Sequence, residues 1–168
     1  MEKTEYHPSK PLLGTEEASI DDKGRVILAK KKRERLGATF TMAIGQKGCI
    51  VIYPTPVWEK ILSSVQQYDV LDTGREDFAR QLAGSAEDEL ECDVQGRVVI
   101  PARMRKQAHI NDKVYVIGAI DRIEIWAIKE HEKYVADPEG YEASRVKAID
   151  SAKKAMREAG RGLVAEGE

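Results

Sequence analysis

Apolar and polar positions alternate in short bursts along this chain, and the bursts recur as a set. Arg25 to Leu28 and Arg97 to Ile100 are β-branched or aliphatic runs of strand length, each preceded by a polar turn containing glycine. Ala18 to Ile20 and Leu90 to Cys92 read as short strands entering those turns. A short basic helix follows each run. Pro101 opens the second helix, where a missing N–H costs nothing, and Gly37 and Asn111 are the stop signals. Hairpins come next, FTMAIG–QKG–CIVIYP in the first half and KVYVIG–AIDR–IEIWAI in the second.

The period changes between and after these blocks. Thr55 to Ala83 reads as mostly helical, with Trp58, Ile61, Leu62 and Val65 on one face and Phe78 and Leu82 continuing the pattern after DTGRED. A C-terminal helix is expected over Glu142 to Ala159, its stripe of Val146, Ile149 and Met156 serving as a packing face. Met1 to Thr15 and Gly160 to Glu168 lack periodicity and are expected to be mobile.

The two blocks are copies. DDKGRVILAKKKRERLG from Asp21 aligns without gaps with DVQGRVVIPARMRKQAH from Asp93, and IGQKGCIVIYP from Ile44 aligns with IGAIDRIEIWA from Ile117. A period this long suits duplication of a small module rather than a solenoid repeat. One module alone has too little core and leaves open strand edges, so two interleaved modules are the expected remedy. The predicted fold is α+β and β-rich, a double-split β-barrel built from two pseudo-twofold-related β-β-α-β-β modules, with linker and C-terminal helices. The predicted boundaries are 16–54 for the first module, 55–87 for a helical acidic linker, 88–128 for the second module and 129–168 for the C-terminal extension.

Charge sharpens this picture. The 168 residues carry a net charge of −2, which argues against a globally basic nucleic-acid protein. Yet Asp22 to Arg35 holds seven basic residues against two acids, and Asp93 to Lys106 holds four against one, while Asp72 to Glu91 holds seven acids against two arginines. Basic islands therefore follow both turns, with an acidic spacer between them. Cys49 and Cys92 form no CxxC and read as small apolar residues in a reduced setting. No apolar run reaches the length of a membrane span, and the opening MEKTEYHPSK is polar where a signal peptide needs an apolar segment.

The repeated D-x-x-G-R turn has a direct physical reading. Asp21 and Asp93 can accept hydrogen bonds from turn N–H groups, and Gly24 and Gly96 permit a positive φ. Arg25 and Arg97 then start the next strand with donors suited to phosphate or a guanine edge. A purely structural Asp–Arg pair is the alternative; the basic helix after each copy favours the binding role.

The two D-x-x-G-R-V segments, the [VI]-[IL]-P-A-x-x-R pattern of the second copy and LAGSAEDELECDVQGRVVIPA from Leu82 to Ala102 resemble the MraZ family over about Glu17 to Tyr134. That resemblance implies two swapped-hairpin modules of the AbrB/SpoVT type in one chain. It also implies a cytoplasmic, nucleoid-associated transcription regulator that forms ring-like homo-oligomers. Such a regulator binds short direct repeats of double-stranded DNA upstream of the division and cell-wall gene cluster, usually repressing its own operon. Carried over residue by residue, Arg25 and Arg97 are the expected main DNA contacts, with Lys23 on phosphate and Gln95 on phosphate or a base edge. Arg33 and Arg105 in the following helices are further expected contacts, supported by Lys31 and Arg103. The first copy departs from the pattern, with LAKK where the second has IPAR, so its helix lacks the opening proline.

Other classes fit less well. His7, His109 and His131 stand singly without metal-ligand spacing, and no nucleophile elbow, phosphate loop or dinucleotide fingerprint occurs. No enzyme activity, metal or cofactor is expected. The rival readings are a ring-forming protein scaffold and a plain dimeric AbrB-like regulator or antitoxin.

Overall fold

The computed structural model describes residues 5–165. The first module contributes β1 (Thr15–Ser19), β2 (Arg25–Ile27), α1 (Lys30–Leu36), β3 (Phe40–Ile44) and β4 (Ile50–Pro54). Helices α2 (Thr55–Gln66) and α3 (Thr73–Leu82) follow, then a 3₁₀ turn at Ala83–Ser85. The second module repeats the order with β5 (Glu87–Leu90), β6 (Arg97–Val99), α4 (Ala102–Gln107), β7 (Lys113–Gly118) and β8 (Ile123–Ala127). Helices α5 (Ile128–Ala136) and α6 (Pro138–Ala165) complete the described chain, which divides into two compact units after His131.

The fold is α+β and rich in sheet, as the pattern predicts. Six strands form an antiparallel sheet in the order β1-β7-β8-β4-β3-β5, and β2 and β6 form a separate two-stranded ribbon. Each module lends its first strand to the other: β1 pairs with β7, and β5 pairs with β3. Exchanging the modules maps the strand order onto its own reverse. The pseudo-twofold relation is thus written into the pairing, and each hairpin closes an edge that its own module would leave open.

Several expectations need correction. β1 and β5 lie earlier than the apolar runs suggested, because TEEAS and EDEL are polar and become strands only through their neighbours. Helix α4 ends at Gln107 rather than at Asn111; His109 adopts φ 55°, and the Ile110 N–H closes back on the Arg105 carbonyl at 2.8 Å. The segment before Thr15 is not uniformly loose. Leu12 is fully buried, and Leu12 and Ile120 exchange N–H···O bonds of 2.8 Å in both directions. Gly118 permits this approach, since a Cβ there would sit 2.4 Å from the Leu13 nitrogen. α6 begins before Glu142, and the side chains of Ile149 and Met156 lie outside the described residues.

One core lies between the sheet and the ribbon with its helices. Val26 and Val98 from the ribbon strands, and Leu28 and Ile100 just past their ends, meet Phe40, Met42, Ile50, Ile52, Val114, Val116, Ile123 and Ile125 from the sheet. A second cluster covers the other face of the first hairpin, where Ala43, Val51 and Tyr53 pack against Trp58, Leu82 and Phe78 of α2 and α3. The predicted apolar face of α2 therefore has its partner, with Ile61 and Leu62 in the same cluster. On the second hairpin, His131 meets the rings of Tyr115 and Trp126 edge-on, at 5.3 and 5.5 Å between centroids.

Part of the first basic island faces inward. Lys32 has a side chain only 6% exposed, and its Nζ donates to Glu16 Oε2 at 2.7 Å and to the Leu13 carbonyl at 3.1 Å. Arg35 donates to the Pro11 carbonyl. In the second module Arg103 has a comparable task, donating to the Ser85 carbonyl at 3.0 Å and to Glu87 at 3.3 Å. These cations tie each basic helix to the start of its own module's first strand.

Buried Met104 is the repeat equivalent of Lys32, so this place in the fold accepts an apolar side chain. Lys32→Met is therefore expected to change stability by less than about 1.5 kcal/mol in urea unfolding, because the part-exposed Glu16 regains water. Glu16→Leu leaves a buried ammonium without its carboxylate and is expected to cost about 3 kcal/mol. Equal losses for the two variants would contradict this account of the ion pair.

Candidate nucleic-acid interface

The two D-x-x-G-R turns fold alike, almost atom for atom. Asp21 Oδ1 accepts from the Lys23 N–H at 3.0 Å and from the Arg25 N–H at 2.9 Å, while Oδ2 accepts from Arg25 Nε at 2.7 Å. Asp93 Oδ1 accepts from the Gln95 and Arg97 N–H groups, both at 2.9 Å, and Oδ2 accepts from Arg97 Nε at 2.7 Å. Backbone bonds close both loops: Gly24 N–H to the Asp21 carbonyl at 3.0 Å, and Gly96 N–H to the Asp93 carbonyl at 2.9 Å. Gly24 and Gly96 take φ of 76° and 77°, the left-handed region that a side chain resists.

Both carboxyls are held below the ordinary range. The largest cause is the backbone N–H of Arg25 for Asp21 and of Arg97 for Asp93. A smaller burial effect opposes it, and the arginine side chains and the Lys23 and Gln95 N–H groups add to the lowering. Each aspartate thus stays ionised and locks its arginine by Nε. The terminal nitrogens Nη1 and Nη2 of Arg25 and Arg97 have no hydrogen-bond partner among the described residues. Of a guanidinium's five N–H donors, only the one on Nε is thus engaged, and the Nη1 and Nη2 groups are left to donate elsewhere.

The ribbon brings the turns together. Arg25 pairs with Val99, Val26 with Val98 and Ile27 with Arg97, so the local twofold passes between Val26 and Val98. Those two valines point into the core, and the alternation of a strand sends the four flanking residues outward. The arginine side chains are 22% and 24% exposed, and beside them Ile27 and Val99 are 59% and 56% exposed. The result is a twofold face with two oriented arginines, two aliphatic side chains and exposed Lys23, Val94 and Gln95 at the turn tips.

The helix residues lie differently. Lys31 is exposed on α1. Arg103 is held on Ser85 and Glu87, at the start of β5. Arg33 and Arg105 are half-buried and donate to the carbonyls of Leu28 and Ile100, at 3.0 and 3.1 Å. Sequence reasoning missed Ile27 and Val99 as members of the face, although the period-two alternation around Val26 and Val98 was the available signal. Neither cysteine forms a disulfide; Cys49 is buried, and burial pushes the Cys92 thiol up against the pull of the Arg33 charge.

Fold and site together define a chain with two duplicated, strand-swapped modules that share one ribbon of clamped arginine turns. Comparison with known proteins gives that class a family. The family described as "MraZ protein, putative antitoxin-like" matches residues 12–81 and 84–154, one match for each half. The chain belongs to the MraZ family. A "Transcriptional regulator MraZ" from Cutibacterium acnes is 38% identical over 122 residues, covering 73% of this chain and 85% of the relative. Proteins of the same name from a Nocardioides species and from Moorella thermoacetica are 39% and 32% identical, covering 74% and 82% of this chain and 85% and 96% of theirs.

The aspartate clamps fix a direction for pH dependence. A folded carboxyl held below its ordinary value of 3.8 contributes turn stability that is fully present above that value. The contribution is lost as pH falls through the depressed folded value. Amide signals of Lys23, Arg25, Gln95 and Arg97, followed by NMR, are expected to stay constant down to about pH 4 and to move only below it. Titration of these amides above pH 5 would contradict the clamp.

Proposed function

We propose that this protein is a sequence-specific DNA-binding transcriptional regulator of the MraZ type, whose ribbon face reads double-stranded DNA. The observation that carries the reading is the pair of Asp-clamped arginines, displayed on one exposed ribbon about a local twofold. A locked Nε leaves the Nη edge aimed outward, which suits a bidentate contact to guanine O6 and N7 or to a phosphate. A two-stranded ribbon is also among the elements that enter a DNA groove. The names of the relatives support the same class.

Arg25 and Arg97 are the main proposed contacts, with Lys23, Gln95 and Lys31 as flanking ones. One ribbon neutralises few phosphates, so a single face gives modest affinity that falls with salt. A ring of copies engaging tandem direct repeats upstream of the division and cell-wall genes, its own operon included, would multiply weak faces into firm binding. The low net charge restrains indiscriminate attachment between such sites. In this reading the protein works in the cytoplasm at the nucleoid. No helix among the described residues is long and apolar enough to cross a membrane.

Exposed Ile27, Val94 and Val99 would also suit the docking of a protein on the same face. The Arg25→Ala, Arg97→Ala double variant separates the two uses. Measured by fluorescence anisotropy on the DNA just upstream of the protein's own gene, it is expected to lose at least about 30-fold in affinity, from about 1–3 kcal/mol per arginine. Native mass should be unchanged. Wild-type binding should need at least two boxes and fall steeply with salt. A double variant that binds normally, or tight salt-independent binding to one box, would contradict the proposal.

A further inference from the structure

We propose that Arg33 and Arg105 are positioning residues, each holding the DNA-facing turn of the opposite module. This inference rests on the DNA-reading role of the ribbon. Arg33 belongs to α1 of the first module, yet its guanidinium lies on Gly96 in the turn of the second. A Cβ at Gly96 would fall 1.6 Å from Arg33 Nη1, 2.4 Å from Cζ and 2.8 Å from Nε. Arg105 of α4 lies on Gly24 in the same way, with a Cβ there 2.8 Å from Cζ and 2.9 Å from Nε and Nη2.

Hydrogen bonds close each contact into a ring. The Gly96 carbonyl accepts from the Leu28 N–H at 3.0 Å, and the Leu28 carbonyl accepts from Arg33 Nη1 at 3.0 Å. The Gly24 carbonyl accepts from the Ile100 N–H at 2.8 Å, and the Ile100 carbonyl accepts from Arg105 Nε at 3.1 Å. Each ring therefore runs from a helix, through the end of its own ribbon strand, to the other module's turn. The arginine fills the space that a side chain on the glycine would occupy. A planar guanidinium can lie flat there while it donates sideways, which a lysine ammonium cannot do.

The two rings make the halves interdependent. Arg33 sets the backbone between Gln95 and Arg97, and Arg105 sets the backbone between Lys23 and Arg25. Removing Arg33 therefore loosens the clamp around Arg97 while leaving the turn of its own module in place. A phosphate contact made by Arg33 itself would instead add its effect to every other contact.

The test has two arms on the full chain. In the free protein, amide NMR of Arg33→Gln and of the milder Arg33→Lys should shift Gln95, Gly96 and Arg97 well beyond Lys23, Gly24 and Arg25. Arg105→Gln should do the reverse, with thermal melting confirming that each variant is folded. Shifts confined to the mutated module's own turn overturn the proposal, whether or not any DNA is bound. In the second arm the probe is a duplex carrying the sequence upstream of the protein's own gene. Arg33→Gln should weaken binding several-fold in the wild-type and Arg25→Ala backgrounds, and add little in the Arg97→Ala background. Full additivity with Arg97→Ala overturns it. If even the wild type ignores this duplex, the regulator reading fails, and the NMR arm still decides the positioning role.

Discussion

The antiparallel pairing of β2 with β6 across Val26 and Val98 is the contact on which the rest of the structure depends. It is short, with only three paired positions, and each strand belongs to a different module. The ribbon needs a strand from both modules, and each turn is held in part from the other side, by the Leu28 N–H on the Gly96 carbonyl and the Ile100 N–H on the Gly24 carbonyl. The crossing of β1 to β7 and of β5 to β3 supplies the closure around it, so that buried area beneath the ribbon comes from both halves at once. Duplication thus does more than double a motif. It fixes two copies of a turn at one distance and one angle, by a backbone ladder rather than by flexible side chains.

The electrostatics follow from this geometry. A count of charges along the chain suggests a strongly basic first helix, yet Lys32 and Arg35 are spent internally and Arg103 ties α4 to the start of β5. What the ribbon presents is two arginine donors held in direction by their aspartates, flanked by exposed lysines such as Lys23 and Lys31. Asp21 and Asp93 cancel part of the charge of Arg25 and Arg97 while orienting them, which exchanges general attraction for directed hydrogen bonding. Such a face suits recognition that depends on register between neighbouring contacts more than on the strength of any one of them.

Much of this was legible in the sequence. The repeat of D-x-x-G-R-V, the hairpins and the helical linker follow from spacing and apolar period, and the α+β fold follows from their order. β1 and β5 were misplaced because TEEAS and EDEL carry no apolar alternation; their strand state comes from a partner in the other half. The burial of Lys32 was equally hidden, since a lysine in KKKRER looks solvated until Glu16 and the Leu13 carbonyl are placed beside it. The reach of Arg33 to Gly96 joins residues far apart in sequence, and only the fold brings them together. From sequence the Asp–Arg pair reads as either a structural clamp or a binding device. In the structure the clamp forms, and it leaves the Nη edges of both arginines clear, so the two uses are compatible.

Hydrogen–deuterium exchange of the full chain, with and without the DNA upstream of its own gene, tests the central claim most directly. If both halves build one reading face, added DNA should slow exchange in two stretches together, 21–28 and 93–100, and to a similar degree. Protection in one stretch alone, or protection centred on the α2–α3 linker with both turns unchanged, would contradict the account.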